Sequence, residues 1–372
     1  MKLNYLHLRN FKCFRNKRIP FGQLTALLGT NGVGKSSVIQ SLLLLKTTKD
    51  EPHKKGDIIS LNGPYGMSLG TSMDVMTTDV NDGFVKIAVS DGVKIMMEAI
   101  YDVNSSREQL GLTINGFTTS RSRKFSMNYV YFLSAERLGP RVSQPIKHME
   151  YLDVGSQGEF TAQVIDYNSG REKVRKACMA EGTKDPTLPK QVDAWLDFIL
   201  PGVKIVAKAD YPGLSANIRI ENKFSGGNTL LPTNIGFGIS YVLPIITTGL
   251  VAKEGGLIIV ENPEAHLHPA AQSAMGEFLG MVAQSGVTVL VETHSDHIIN
   301  GIQLYAAKHP QFANQIVINN FSEDGDDQPK VETIQLTEKG EFENWPRGFL
   351  DQSQKDYLKL MEINNKQKLN NV

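Results

Sequence analysis

Two rhythms of apolar and polar positions alternate along the chain. Residues 2–9 alternate apolar and polar side chains, the period of a half-buried strand. Residues 24–28, Leu-Thr-Ala-Leu-Leu, are a short apolar run that reads as a buried strand, and residues 36–45 follow as a helix. Period two returns at Phe84. Residues 84–90 and 93–101 flank Asp91-Gly92, a pair that favours a type I′ hairpin turn. A second hairpin is expected across Asn115-Gly116, and a further strand over 126–135. Residues 58–135 therefore read as an antiparallel β lobe built apart from the first strand and helix. Residues 191–200 space their apolar positions as a helix does, which makes Trp195 a core residue. Residues 233–246 are a glycine-bearing turn leading into an apolar helix that contains Pro244. Residues 257–260 and 287–291 are apolar strands. Between them lies a helix over 269–284, with proline in its first turn and Gly286 past its end. The tail pairs strands at 316–321 and 331–336 around an acidic turn, then an aromatic turn at 345–349 and a polar, helix-prone end.

Composition narrows this only a little. The chain has 372 residues, 41% of them apolar, enough for one large domain or two. Lys plus Arg and Asp plus Glu both number 39, so no global charge draws it to nucleic acid or membrane. Cys13 and Cys178 form neither a disulfide framework nor a metal-spaced cluster, and a reducing cytoplasm is the expected home. No signal peptide or transmembrane segment is read. The longest apolar-leaning run, 239–252, is short and carries Tyr241, Pro244 and two threonines.

Chemistry enters at residues 29–37, GTNGVGKSS, which satisfy G-x-x-x-x-G-K-[ST] between a strand and a helix. Gly29, Gly32 and Gly34 allow a backbone whose N–H groups turn inward on a polyphosphate, and the helix adds the positive end of its dipole. Asn31, Gly32, Val33, Gly34, Lys35, Ser36 and Ser37 are the expected nucleotide-binding residues. Lys35 serves the β- and γ-phosphates and Ser36 serves Mg²⁺. Lys12 is a further candidate for approach to the nucleotide, while Arg15 reads as a solvated edge charge. The strand over 257–260 ends at Glu261, and the strand over 287–291 ends at Glu292-Thr293-His294-Ser295-Asp296. A strand–helix–strand unit predicts parallel neighbours, so three strand ends should meet at one edge of one sheet, where α/β proteins bind ligands.

In that order the motifs resemble ABC-type ATPase heads. The likeness extends to the SMC-like, RecF-like and overcoming-lysogenisation-defect ATPases, and to bacterial AAA-labelled ATPases. It rests on NIGFGIS (234–240), ENPEAHLHP (261–269), ETHSDHIING (292–301) and WPRGF (345–349), with LNG at 61–63 and SAERLGPR at 134–141 also fitting. The resemblance implies an α/β P-loop fold of ABC-head type. A nucleotide-binding core would span 1–57 and 226–322, a β lobe 58–142, a mostly helical insertion 143–225, and a hairpin and tail 323–372. It implies a Walker A loop at 29–37 and a Walker B acid at Glu261 supporting Mg²⁺. Asn234 and Gly236 would form a signature turn that meets the γ-phosphate held by a second copy, His294 a switch histidine, and 265–268 a segment crossing the dimer interface. Two copies would sandwich two Mg·ATP head to tail. Relatives in anti-phage defence modules imply a separate effector, often a nuclease. One departure stands out. Many such heads place Asp-Glu where this chain has Glu261-Asn262, and an amide cannot take a proton from water. Either Glu264 supplies the carboxylate or Asn262 only orients water and turnover is slow.

Other candidates are weaker. His266 and His268 lack further metal ligands at workable spacing, and Ser295 lacks the glycines of a nucleophile elbow. Asp74 reads as site furniture or a helix cap. Arg121, Arg123 and Lys124 read first as an edge guard and second as a DNA contact. Glu136, Arg137 and Arg141 sit past a strand end as structural or functional ions. Beside a defence ATPase, two alternatives stand: a slow ATP-dependent scaffold, and a RecF/SMC-like DNA-repair ATPase.

Overall fold

A computed structural model describes residues 2–50, 54–78, 83–103, 109–120, 125–323, 328–345 and 355–363. The elements in chain order are β1 (Tyr5–Phe11), β2 (Phe14–Pro20), β3 (Leu24–Gly29), α1 (Lys35–Asp50), β4 (Ile58–Ser60), β5 (Phe84–Ser90), β6 (Ile95–Asp102), β7 (Gly111–Thr119), β8 (Val130–Leu133), β9 (Gln144–Pro145), α2 (Thr161–Ile165), α3 (Tyr167–Gly170), α4 (Leu188–Ile199), β10 (Lys204–Asp210), β11 (Ser215–Glu221), α5 (Phe237–Val251), β12 (Leu257–Glu261), α6 (Pro269–Gln284), β13 (Thr288–Glu292), α7 (Asp296–Lys308), α8 (Pro310–Ala313), β14 (Ile316–Ser322) and β15 (Lys330–Gln335). They form three sheets, ordered β2-β1-β5-β6-β7-β4, β10-β11-β9 and β15-β14-β3-β13-β12-β8.

The third of these is the central sheet, parallel throughout except for β15. Both its faces are covered, which is why its strands read as continuous apolar runs. Along β12, Leu257 and Ile259 join one core while Ile258 and Val260 join the other. Helix α1 lies in the first of these cores, between the central and the antiparallel sheet. Val38, Ile39 and residues 42–45 are all buried there, each burial worth about 1.5–3 kcal/mol. Helices α4 to α7 cover the opposite face.

Three expectations are corrected. First, residues 126–135 do not extend the β lobe. Within them β8 pairs in parallel with β12 as the edge of the central sheet. Its four residues are all buried, Val130 and Phe132 toward one core and Tyr131 and Leu133 toward the other. Second, the antiparallel sheet is not separate from the N-terminus, because β1 pairs with β5 and brings β2 with it. Third, Asn115-Gly116 makes no hairpin. β7 runs straight through it, and Asn115 is the extra residue of a bulge opposite Ile100 and Tyr101. The Asp91 hairpin does form, with Asp91 Oδ1 accepting the N–H groups of Val93 and Lys94. Asp74 is a cap, its carboxylate accepting the Thr71 N–H and hydroxyl at 2.7 Å. Trp195 is half-buried, its ring 5.0 Å from Phe278 and its N–H donated to the Cys178 carbonyl. The basic run Arg121, Arg123 and Lys124 lies outside the described residues, as do 346–349 of the aromatic turn and most of the acidic turn.

Candidate functional site

Strand β3 lies between β14 and β13, and its C-terminal end opens the loop at 29–34. Gly29, Gly32 and Gly34 all adopt left-handed φ, at 128°, 82° and 94°. Space forbids a side chain at two of them. A Cβ at Gly29 would sit 2.1 Å from the Phe321 carbonyl oxygen, and one at Gly34 would sit 2.6 Å from Cys13 Sγ. Strand β14 and the β1–β2 turn thus brace the loop from outside. Val33 is buried in the core, so it can offer a ligand only its backbone, while Asn31, Gly32 and Ser36 are exposed. Ser37 hydrogen-bonds the Cys13 thiol, whose pKa burial pushes up. Lys12 Nζ lies 2.6 Å from Gln40 Oε1, tied to α1 one turn beyond the loop, and burial lowers its pKa.

Lys35 opens α1 and is 4% exposed. Its ammonium donates to the carbonyls of Gly29 at 2.9 Å and Thr30 at 2.6 Å, which holds the charge at the centre of the loop. Burial lowers its pKa, and the Glu292 charge opposes the shift. Ser36 Oγ is 3.5 Å from Glu292 Oε2. Glu292 is buried, and its pKa is pushed up to about 7, first by burial and then by the Glu261 charge, while Lys35 and Ser36 pull it down.

Glu261 stands beside Glu292 in the parallel register of β12 and β13. Its Oε2 accepts the Ala135 N–H at 2.9 Å, and burial raises its pKa. Asn262 has φ 43°, a left-handed position that asparagine tolerates better than most residues. Its N–H donates to the Glu292 carbonyl at 2.9 Å. Glu264 uses both oxygens on the turn after β13, accepting the Thr293 hydroxyl at 2.7 Å and the His294 N–H at 2.9 Å. It therefore clamps the two strand-end turns together. His294 is exposed, with its pKa lowered by burial of part of the ring and by the Lys35 charge. Ser295 caps α7, accepting from the N–H groups of His297 and Ile298 and donating to Gln272 Oε1 at 2.5 Å.

Arg137, a candidate of undecided role in the sequence, is 4% exposed. It donates to the carbonyls of Ser134 at 2.9 Å, Glu261 at 2.7 Å and Asn262 at 2.6 Å. Burial pulls its pKa down to about 10, so it stays charged at neutral pH. Its guanidinium also lies 5.3 Å from the Tyr241 ring centre on α5.

The structure brings residues 29–37, Glu261, Asn262, Glu264, Glu292 and His294 to one edge of the sheet. Asn234 and Gly236 are presented differently. Both are exposed, as is Phe237 at 52%. The start of α5 packs against His266, whose ring is 5.3 Å from Phe237 and 4.5 Å from Tyr241. Sequence reasoning named Glu292 only as a strand end. Its proximity to Ser36 comes from the insertion of β13 between β3 and β12, which no local pattern encodes. The donor set fits a magnesium nucleotide: a glycine cradle, one ammonium, a serine hydroxyl and buried carboxylates, all hard ligands.

Known proteins resemble the chain at two levels. Residues 1–102 and 183–299 match the family model described as AAA ATPase domain. Residues 313–360 match a second one, described as Protein of unknown function (DUF3696). A curated relative, the DNA replication and repair protein RecF of Trichodesmium erythraeum (strain IMS101), is 28% identical over 149 residues. That match covers 38% of this chain, which spans about a third (34%) of the relative's length. Among solved structures, the Smc head domain with an extended coiled coil bound to the C-terminal domain of ScpA, from Pyrococcus furiosus, covers 90% of this chain and 96% of its own. It has a TM-score of 0.53 and 12% identity. That likeness shows the fold, an α/β P-loop head of the ABC type. Among the described residues no helix is long and apolar enough to cross a membrane.

Proposed function

Because this chain belongs to the AAA ATPase domain family, we propose that it binds and hydrolyses ATP with Mg²⁺ as a nucleotide-gated dimer. The observation that carries this is the meeting of Lys35 and Ser36 with Glu292, itself within the charge field of Glu261 and Glu264, beyond a glycine loop braced from both sides. Residues 31–36 supply the anion site through their backbone N–H groups and the start of α1. Lys35 supplies a fixed positive charge. Mg²⁺, when bound, offsets the charge of the phosphate oxygens. Glu264 braces the His294 backbone, and Arg137 holds the carbonyls of Glu261 and Asn262 in place. Asn262 can orient water but takes no proton, so slow turnover fits the site.

The exposed turn at Asn234, Gly236 and Phe237 supports its use by a second copy, in a head-to-tail sandwich. Hydrolysis would open the pair and so gate a partner. A separate effector, a nuclease in an anti-phage module, rests on the resemblance carried by NIGFGIS, ENPEAHLHP, ETHSDHIING and WPRGF. The RecF relative supports a second reading, a DNA-repair ATPase. Phosphate release by the purified chain tests the enzyme reading. It should depend on Mg²⁺ and vanish in Lys35→Ala, and release that persists in Lys35→Ala sinks it. Duplex binding at low salt, with and without ATP, separates the readings, because only the repair ATPase requires ATP to promote it.

A further inference from the structure

We propose that the chain's own C-terminal helix, residues 355–363, docks its apolar face in the groove between α4 and the α6–α7 pair and straps these three helices together.

The helix carries the first argument. Residues 355–363 are helical, and all nine are exposed in this structure. At 3.6 residues per turn, Tyr357, Leu360 and Met361 fall at i, i+3 and i+4, with Leu358 beside them. These four share one face, and Lys359 takes the opposite one. The four are 47–63% exposed. A short helix draws most of its stability from packing such a face. Anchors at i, i+3 and i+4 are also how an amphipathic helix seats in an apolar groove.

The groove carries the second. It offers about 590 Å³, walled by Trp195 and Phe198 on α4, Met281 on α6, and Tyr305 and His309 at and just past the end of α7. Its rings are already arranged: Phe198 stands edge-on to Trp195 at 5.6 Å, and His309 lies against Tyr305 at 4.3 Å. Phe198 is 46% exposed, an apolar surface open to an occupant. Glu181 and Asp197 rim the α4 side, while Lys308, paired with Glu277 at 2.5 Å, rims the α7 side. Lys355 flanks the apolar face of the helix on one side and Asp356 on the other. One orientation therefore sets Lys355 toward the two acids and Asp356 toward Lys308.

Reach decides the occupant. The turn before the helix already lies along α7. Gln303 Nε2 donates to the Gly340 carbonyl at 2.8 Å, and a Cβ on Gly340 would sit 2.4 Å from the Gln303 carbonyl oxygen. Phe342 follows, its ring 5.0 Å from that of Trp345. Trp345 to Lys355 is a step of ten residues, up to about 33 Å of chain. Crossing one helix takes about 10–12 Å. The helix is thus tethered to a wall of its own groove, at an effective concentration that a second copy or a separate protein lacks. Because α6 follows the turn at 261–268 and α7 follows His294, the strap joins the elements behind both turns to α4.

Hydrogen exchange read by mass spectrometry on the full chain tests this. In the natural chain the amides of 355–363 should exchange at least about tenfold more slowly than those of an unstructured peptide, and Phe198→Asp should abolish that protection. Leu360→Asp combined with Met361→Asp should speed exchange over 194–198 and 305–309 by about threefold or more. Lys359→Ala should change neither. Unaltered exchange in β12 and β13 shows that each variant is folded; if Phe198→Asp disturbs them, Ala194→Glu, also in the groove, takes its place. Unprotected amides over 355–363 in the natural chain overturn the proposal, as does protection that survives the groove variants. Equal loss in Lys359→Ala also counts against it. Protection that disappears on dilution, in step with dissociation of a dimer in sedimentation velocity, assigns the helix to a second copy and overturns it too.

Discussion

At the scale of single residues, the guanidinium of Arg137 joins three carbonyls from two strand ends, and none of the three is a carboxylate. It holds the turn that begins at Glu261, a structural contact for a residue that the sequence leaves between structural and functional. Arg137→Met would leave those carbonyls without their charged donor in a buried place. A loss of about 3 kcal/mol is expected, read as a lower midpoint in urea unfolding. Asp153 offers a pH test. Burial raises its carboxyl pKa, while the Gly155 N–H at 3.1 Å opposes the shift. A group that keeps its proton better folded than unfolded adds stability below its unfolded value and loses that contribution as pH rises through the folded one. Asp153→Asn should therefore flatten the fall in Tm from about pH 4 upward, with equal Tm slopes in both proteins counting against it. Legibility at this scale was uneven. Residue types showed that Lys35, Ser36, Glu261 and Glu264 were candidates. The direction in which each carboxylate points depends on partners such as Ala135 and Thr293, which lie 126 and 29 residues away.

At the scale of elements, the site depends on how closely α6 and α7 cross. Gly276 and Gly301 form that crossing. A Cβ at Gly301 would sit 1.9 Å from the Ser273 carbonyl oxygen, and one at Gly276 would sit 2.3 Å from that of Ile298. Gly301→Ala should separate the helices and strain the α7 cap at Ser295, costing about 1–3 kcal/mol in thermal or denaturant unfolding. The sequence placed Gly301 in a motif but could not reveal which backbone it meets. Local pattern did locate β12, α6 and β13, because long apolar periodicity and proline or glycine at the ends are local physics. It misplaces β8, whose run Val-Tyr-Phe-Leu reads as one more lobe strand. Its uninterrupted apolar character was the clue, since a strand buried on both faces belongs inside a covered sheet. The Asn115-Gly116 pair misled for a different reason. The same pair serves a bulge as well as a turn, and cross-strand pairing decides between them.

At the scale of the whole molecule, α1 is enclosed between two sheets while the turn at 234–237 faces outward. One copy thus presents both a braced phosphate loop and an exposed glycine turn. If two copies complete each other's sites, ATP should promote association under slow turnover. Phe237→Asp should weaken that association by about tenfold or more, read by sedimentation velocity with and without ATP. ATP-dependent association that Phe237→Asp leaves intact would remove this turn from the interface. By itself the sequence determined that a phosphate loop, an acidic strand end and a histidine strand end lie on one sheet. Those are matters of residue type, spacing and the right-handed crossover rule, all local along the chain. Tertiary structure alone decided that β13 lies between β3 and β12, that β8 closes the sheet, and that Glu292 stands beside Ser36. Strand order is a long-range choice made by burying both faces of the sheet at once. The loop strand and Glu292 are 263 residues apart, counted from Gly29, and no pattern along the chain spans that distance.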